Sequence, residues 1–351
     1  MPETTLRKTP MVQMIDVVKH YPTRGRGVVH ALDGINLSVP PGSVLGLVGE
    51  SGCGKSTAAR LLTLLERPTS GTVRIGGKDL ATLDRDGVRA FRRSVQMVFQ
   101  DPYASLDPRQ RIGVALGEVL TVHGLASGRT KVRSAVGDLL DTVGLVRSTA
   151  DRYPHQLSGG QRQRVGIARA LSVEPDVVVL DEPVSALDVS VRAEIINLLS
   201  RLRTDLGLTY IFISHDLGMV RHLADQIAVM YLGQIVEYGS WEQLSDHPLH
   251  PYTQALQAAV PVADPVVEAA REVAAVRGEI PDAADPPPGC RFHPRCPLAE
   301  DICRTVVPPL LPPTAAYRLA CHVRQRELAH GELADRELAD TAAPLSTPKA
   351  R

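Results

Sequence analysis

Gly49-Glu50-Ser51-Gly52-Cys53-Gly54-Lys55-Ser56, followed by Thr57, fits the spacing G-x-x-x-x-G-K-[ST]. Such a loop wraps phosphate groups in its backbone N–H groups, and a helix opening near Lys55 adds the positive end of its dipole. In that arrangement Lys55 reaches the β- and γ-phosphates of a nucleotide and the Ser56 hydroxyl ligates Mg2+. A second set of chemical groups, Asp181-Glu182, directly follows the apolar run Val177–Leu180. Ligands of open α/β sheets sit at the carboxyl ends of strands, where these two side chains would be delivered. Asp181 then suits Mg2+ or its bound water, and Glu182 the group that orients or polarises an attacking water. Two carboxylates after a strand are by themselves an ordinary solvated turn. Together with the phosphate loop they become candidates for nucleotide hydrolysis.

The surrounding pattern supplies elements to position these groups. Apolar and polar residues alternate through Met11–Val18 and Ile35–Val39, and the apolar run Val44–Val48 reads as a buried strand leading into the loop. A helical pattern follows through Ala58–Leu65, then short strands over 72–100 ending at Val95–Phe99. From Asp101 to about His155 the chain reads as helices and loops, with Pro102, Pro108 and the polar stretch Ala126–Thr130 as breaks. A second α/β stretch follows: helix 160–172, strand Val177–Leu180, helix Val191–Leu206, strand Tyr210–Ser214 and short strands to about Glu237. Strands alternating with helices predict a mostly parallel sheet covered on both faces, an α/β fold.

Residues 259–289 are rich in Ala, Val and Pro, end in Pro286-Pro287-Pro288, and read as a linker. A cysteine-containing extension spans 290–323, and 324–351 reads as a flexible, solvated tail, because its loose ELA repeat at Glu327, Glu332 and Glu337 fits no helical period. Lys+Arg and Asp+Glu both number 39, so bulk charge gives no argument for a nucleic-acid partner. No apolar stretch approaches the roughly 18–20 residues needed to cross a bilayer, and the polar N-terminus has no signal-peptide core. The expectation is a cytosolic chain; if it serves a membrane, it does so from the surface, through a partner. Of five cysteines, Cys53 sits in the phosphate loop, where its side chain need not contact anything, and the rest gather at Cys290, Cys296, Cys303 and Cys321. In a reducing compartment such a group suggests a metal before disulfides, although the spacing is not that of a zinc finger.

Leu157-Ser158-Gly159-Gly160-Gln161 resembles the signature of the ATP-binding-cassette family, and its place between the loop and Asp181 matches that family's order. The resemblance implies a P-loop NTPase with a RecA-like parallel core, an antiparallel β subdomain and a helical subdomain at about 101–160, all within a nucleotide-binding domain over 1–258. It also implies roles: Tyr21 stacks on adenine, Gln100 meets Mg2+ and reports to a membrane partner, Ser185-Ala186-Leu187-Asp188 forms the D-loop, and His215 touches the γ-phosphate. Ser158 with the Gly159-Gly160 amides opens a helix and makes a second anion-binding terminus. One chain cannot bring both termini to one nucleotide. In this family two subunits face head to tail, closing on ATP and parting on hydrolysis.

Phe99-Gln100-Asp101-Pro102-Tyr103-Ala104-Ser105-Leu106-Asp107-Pro108-Arg109, Ser185–Val191, Val229–Gly233 and His250-Pro251-Tyr252-Thr253 look like the ATPases of dipeptide/oligopeptide importers. The likeness runs from residue 11 to about 323. It implies a heterodimer with a second ATPase chain, two transmembrane permeases, a substrate-binding protein acting indirectly, and a place at the cytoplasmic face of the membrane. The segment after Gln100 would dock the permease. Nickel importers share this subfamily, and a soluble cassette ATPase of translation or DNA metabolism is the more distant alternative. Cys290–Pro297 resembles the C-x-F-x-x-R-C-P of the importers' C-terminal extension, which implies a [4Fe-4S] cluster on the four cysteines, with Zn2+ as the alternative.

Overall fold

The computed structural model describes residues 9–23, 27–101, 106–260, 278–311 and 317–330. A long hairpin, β1 (Val12–Thr23) and β2 (Gly27–Val39), leads into β3 (Val44–Val48), whose end turns through the glycine loop into α1 (Lys55–Leu62). Strands β4 (Ser70–Ile75) and β5 (Lys78–Asp79) complete a four-stranded antiparallel sheet in the order β2-β1-β4-β5. Then come α2 (Arg85–Ser94), β6 (Val95–Val98), and the helices α3 (Ile112–Val122), α4 (Arg129–Thr142) and α5 (Gly159–Leu171). The chain returns as β7 (Val177–Asp181), α6 (Val189–Leu206), β8 (Thr209–Ser214), the short α7 (Leu217–Val220), β9 (Gln226–Tyr231) and β10 (Gln234–Gly239). Helices α8 (Trp241–Asp246), α9 (Pro251–Ala258) and α10 (Asp301–Thr305), strand β11 (Arg318–Leu319) and α11 (His322–His330) follow.

The larger sheet has the order β11-β10-β9-β3-β8-β7-β6, with the five strands from β9 to β6 parallel and β10 and β11 antiparallel. Its central strands are buried throughout, as expected where both faces are covered. Successive residues point to opposite faces, and the two cores follow that alternation. Val44, Val48, Val178, Leu180, Tyr210 and Phe212 face the core under α3–α6, while Leu45, Leu47, Val177, Val179, Ile211 and Ile213 face α1 and the antiparallel sheet. The α/β expectation therefore holds.

One stretch differs from the sequence reading. Residues 85–94, expected among short strands, form α2, capped by the Asp84 carboxylate accepting the Gly87 N–H at 2.7 Å. Only Phe91 of this helix is buried, and Arg92 and Arg93 suit the negative end of its dipole. Its apolar residues fall within the short stretch Val88–Phe91, directly after Gly87, which is too little to mark a helix. Of residues 259–289, 261–277 lie outside the described residues. In the remainder the Ala283 carbonyl accepts the His30 N–H at 2.9 Å, against the hairpin. Of the tail, 331–351 lie outside the described residues, whereas 324–330 belong to α11, with Val323 buried and Arg326 forked onto Glu300 at 2.9 and 2.6 Å.

Candidate functional site

Parallel pairing aligns the strand ends that carry the predicted chemistry. Val48 pairs with Ser214 and Asp181 with Ile213, so Gly49, Glu182 and His215 leave the sheet along one edge. Val98 pairs with Leu180, which brings Gln100 to the same edge. Beside it opens a cleft of about 730 Å3 lined by Tyr21, Val29, Ala31, Glu50, Ser51, Gly52, Gly54, Lys55, Ser56, Thr57, Gln100, Glu182, His215 and Ala283.

The loop's shape depends on two glycines. A Cβ on Gly49 would stand 2.2 Å from the Met230 carbonyl oxygen. Gly54 has φ +110°, and a Cβ there would stand 2.4 Å from the Ala31 carbonyl oxygen. Lys55 is buried, and its ammonium donates to the carbonyls of Gly49 (2.6 Å) and Glu50 (2.9 Å). The loop motif requires no contact of the Cys53 side chain, yet it has one. Its thiol is buried under the loop, 3.7 Å from Lys55 Nζ, and burial raises its pKa. Neither Cys53 nor Gly49 lines the cleft.

Asp181 is half-buried and accepts a hydrogen bond from Ser56. Burial, and then the charge of Glu182, push its pKa upward against the opposing pull of Ser56 and Lys55. Adjacent carboxylates beside a hydroxyl form the hard-oxygen donor set that a Mg2+ ion would relieve. Glu182 has φ +45°, the left-handed region that a residue with a side chain rarely adopts. That turn carries its N–H to the Ile213 carbonyl at 3.1 Å and its carboxylate to the cleft. There Oε2 accepts from Gln100 Nε2 at 3.0 Å and lies 3.2 Å from His215 Nδ1.

Tyr21 stands on β1 at the cleft's far wall, with its hydroxyl donating to Glu66 and Lys19 Nζ 4.8 Å from its ring centre. Ser158, Gly159, Gly160, Gln161 and Asp188 do not line the cleft. Ser158 caps α5: its hydroxyl accepts the Gln161 N–H at 3.2 Å while the Gln161 side chain accepts the Ser158 N–H at 3.1 Å. Gly160 lets α5 approach α6, since a Cβ would meet Val191 at 2.5 Å. Asp188 is exposed at the start of α6. Residues 102–105, in the segment expected to dock a permease, lie outside the described residues.

The four C-terminal cysteines are free thiols in one small unit, with the Cys290 N–H donating to the Cys303 carbonyl at 2.8 Å. Burial pushes Cys290 up to about 12 and Cys296 to about 11, and it raises Cys321 as well. No three of the sulfurs lie within 4.8 Å of one another. Among the described residues only His20, His30 and Asp33 meet that spacing. These three already satisfy each other: Asp33 takes His20 Nε2 at 2.7 Å, His30 Nδ1 at 3.2 Å and the Arg291 guanidinium.

Sequence reasoning missed the residues that hold Glu50, the first variable position of the loop. Its N–H donates to Tyr252 Oη at 2.8 Å, and its carboxylate takes both ends of the Arg295 guanidinium at 2.7 and 3.0 Å. Their only signal was membership of two motifs, His250-Pro251-Tyr252-Thr253 and the cysteine segment.

Residues 32–185 match the model of the ABC transporter family, and 236–303 that of the oligopeptide/dipeptide transporter C-terminal region. The chain is 45% identical over 327 residues to the oligopeptide transport ATP-binding protein AppF of Bacillus subtilis (strain 168), covering 91% of this chain and 99% of that one. It is 48% identical over 299 residues to the dipeptide transport ATP-binding protein DppF of Escherichia coli (strain K12), covering 84% and 88%. A dimeric ATP-binding cassette solved in a post-hydrolysis state with ADP and Pi superposes with a TM-score of 0.59 at 31% identity, over 66% of this chain and 99% of that one. With this degree of identity over most of its length, the chain belongs to the ABC transporter family, in the branch that carries the oligopeptide/dipeptide transporter C-terminal region.

Proposed function

We propose that this chain is the ATP-hydrolysing subunit of a di- or oligopeptide importer, contributing half of each of two composite nucleotide sites. The observation that carries this reading is the meeting of Gln100 and His215 on the Glu182 carboxylate beside the loop, while Ser158 faces elsewhere. In the proposed cycle the loop amides and Lys55 bind the phosphates, and Tyr21 stacks on the adenine. Ser56, Asp181 and Gln100 would hold Mg2+, which supplies charge neutralisation at the β- and γ-phosphates. Glu182 orients the attacking water and accepts its proton, and His215 addresses the γ-phosphate. Ser158 and the Gly159-Gly160 amides of a second chain, with Gln161 behind them and Asp188 at the dimer seam, complete the cradle.

The peptide assignment rests on the relatives' names, oligopeptide and dipeptide transport ATP-binding proteins. No helix among the described residues is long and apolar enough to cross a membrane. The importer resemblance implies permease chains, with this protein as a peripheral subunit at the cytoplasmic face. Its partner in the dimer is a different ATPase chain, as the importer resemblance implies. Purification of the complex from native membranes tests this reading. Two permeases and a second ATPase are expected to co-elute, whereas elution with ribosomes or DNA and no membrane-spanning chain overturns it.

The four-cysteine unit is assigned to an iron–sulfur cluster. The support is the likeness of Cys290–Pro297 to the importers' C-terminal extension, and Zn2+ is the alternative occupant. Four thiolates are the donor set that such a cluster takes. When bound it would supply covalent cross-links among Cys290, Cys296, Cys303 and Cys321.

A further inference from the structure

Three separate groups of Glu50 are held in place. Its carbonyl accepts from Lys55, its N–H donates to Tyr252 Oη, and its carboxylate takes both ends of Arg295. The last two partners belong to the C-terminal segment, more than 200 residues away, rather than to the loop or its helix. Both are rigid. Arg295 is 8% exposed, its guanidinium 5.8 Å from the ring centres of Tyr231 and Phe292. Tyr252 is fully buried, its ring edge-on to Tyr231 at 4.7 Å. Behind Tyr252, His250 Nδ1 accepts the Tyr252 N–H at 3.0 Å, and the buried Glu237 accepts the N–H groups of Leu249 and His250 at 2.7 and 3.2 Å. Four residues before Arg295, Arg291 grips Asp33 on the hairpin and the Leu232 carbonyl. One five-residue stretch therefore pins both walls of the cleft, the phosphate loop and the hairpin that carries Tyr21.

A forked arginine–carboxylate pair with its guanidinium buried fixes direction as well as distance. A phosphate loop needs that, because its amides bind only while they converge. We propose that Arg295, with Tyr252 beside it, is a positioning residue of the nucleotide site: through Glu50 it holds the phosphate loop in its binding shape, so that the cysteine-bearing C-terminal segment is a working part of the ATP site. This deepens the ATPase reading and rests on it.

The test uses the full chain, titrated with the fluorescent analogue mant-ATP and assayed for ATP turnover in the purified transporter. Arg295→Ala is expected to weaken mant-ATP about tenfold, the scale of a modest misplacement in a preorganised site. The KM for ATP rises in parallel, and kcat stays within about twofold because Glu182 and His215 are untouched. Arg295→Lys recovers only part of the affinity, since an ammonium cannot make the fork. Glu50→Gln weakens binding to a similar degree, and Arg295→Ala with Glu50→Ala is no weaker than either single change. Unchanged affinity in both Arg295→Ala and Glu50→Gln overturns the proposal while leaving the ATPase reading intact. If Arg295→Ala fails to fold, Glu50→Gln, which leaves the C-terminal segment intact, decides alone. A wild-type chain that does not bind mant-ATP overturns the ATPase reading itself.

Discussion

His215 Nδ1 lies 3.2 Å from Glu182 Oε2, the same oxygen that accepts the hydrogen bond from Gln100 Nε2. Three strand ends thus meet on one carboxylate. Glu182 is held there by a left-handed backbone turn whose N–H is tied to Ile213. Its place is set by the sheet rather than by its own side chain.

Glu182→Gln keeps the shape and removes the base. ATP turnover in the purified transporter should fall by about 10^2- to 10^4-fold, the usual contribution of a positioned base, while nucleotide binding persists. ATP should then trap a stable dimer, visible by light scattering after gel filtration. Undiminished turnover would remove Glu182 from this role.

Much of this site is legible before folding, and the reason is local. The strand Val44–Val48 and the loop after it are contiguous, and Val177–Asp181 and Thr209–Ser214 are apolar runs whose last residues carry the chemistry. Knowing that parallel strands end together suffices to bring them to one edge. The support of Glu50 is not legible in this way. Arg295 lies 245 residues from its partner, and neither position carries a periodic or motif signal for the other. Helix α2 was hidden for a different reason: its few apolar residues lie within Val88–Phe91 beside Gly87, too short a stretch to fix a period.

Ser158 caps α5 and, in the proposed dimer, completes the partner's site, and one substitution can separate the two. Its hydroxyl caps α5, so Ser158→Ala should cost about 1 kcal/mol of stability, measurable as a small fall in the thermal midpoint. It also lies outside its own chain's cleft. Ser158→Ala should therefore bind mant-ATP like the wild type yet fail to form the ATP-trapped dimer in the Glu182→Gln background. Weakened binding by the isolated chain would place Ser158 in its own site and sink the composite arrangement.

The cysteine unit makes a prediction about composition. Chain purified without oxygen should be brown and contain iron and acid-labile sulfide, and Cys296→Ser should lose both. Because burial raises Cys290 and Cys296 to about 12 and 11 without a cluster, loading should release protons and weaken as pH falls. Zinc alone by elemental analysis would refute the iron–sulfur assignment.

His250 predicts an acid limb in stability. Burial holds its folded-state pKa down to about 3 against 6.5 for the free side chain, a backbone hydrogen bond with Ala320 opposing. Between those values the unfolded chain binds a proton that the folded chain refuses. The stabilisation is complete above pH 6.5 and is lost as pH falls toward 3, amounting to on the order of a few kcal/mol over that window. Protonation would also remove the Nδ1 acceptor that holds the Tyr252 N–H at the start of α9. Glu237, whose carboxyl faces the His250 N–H, is raised by burial and acts in the opposite sense, its contribution being lost as pH rises. The comparison must therefore keep Glu237 in place. His250→Asn retains a cap acceptor and does not titrate. Its thermal midpoint should fall less steeply than the wild type's between pH 6.5 and 4.5, although it starts lower at pH 7.5 through lost packing. Parallel curves for the two proteins would show that some other group sets the acid limb.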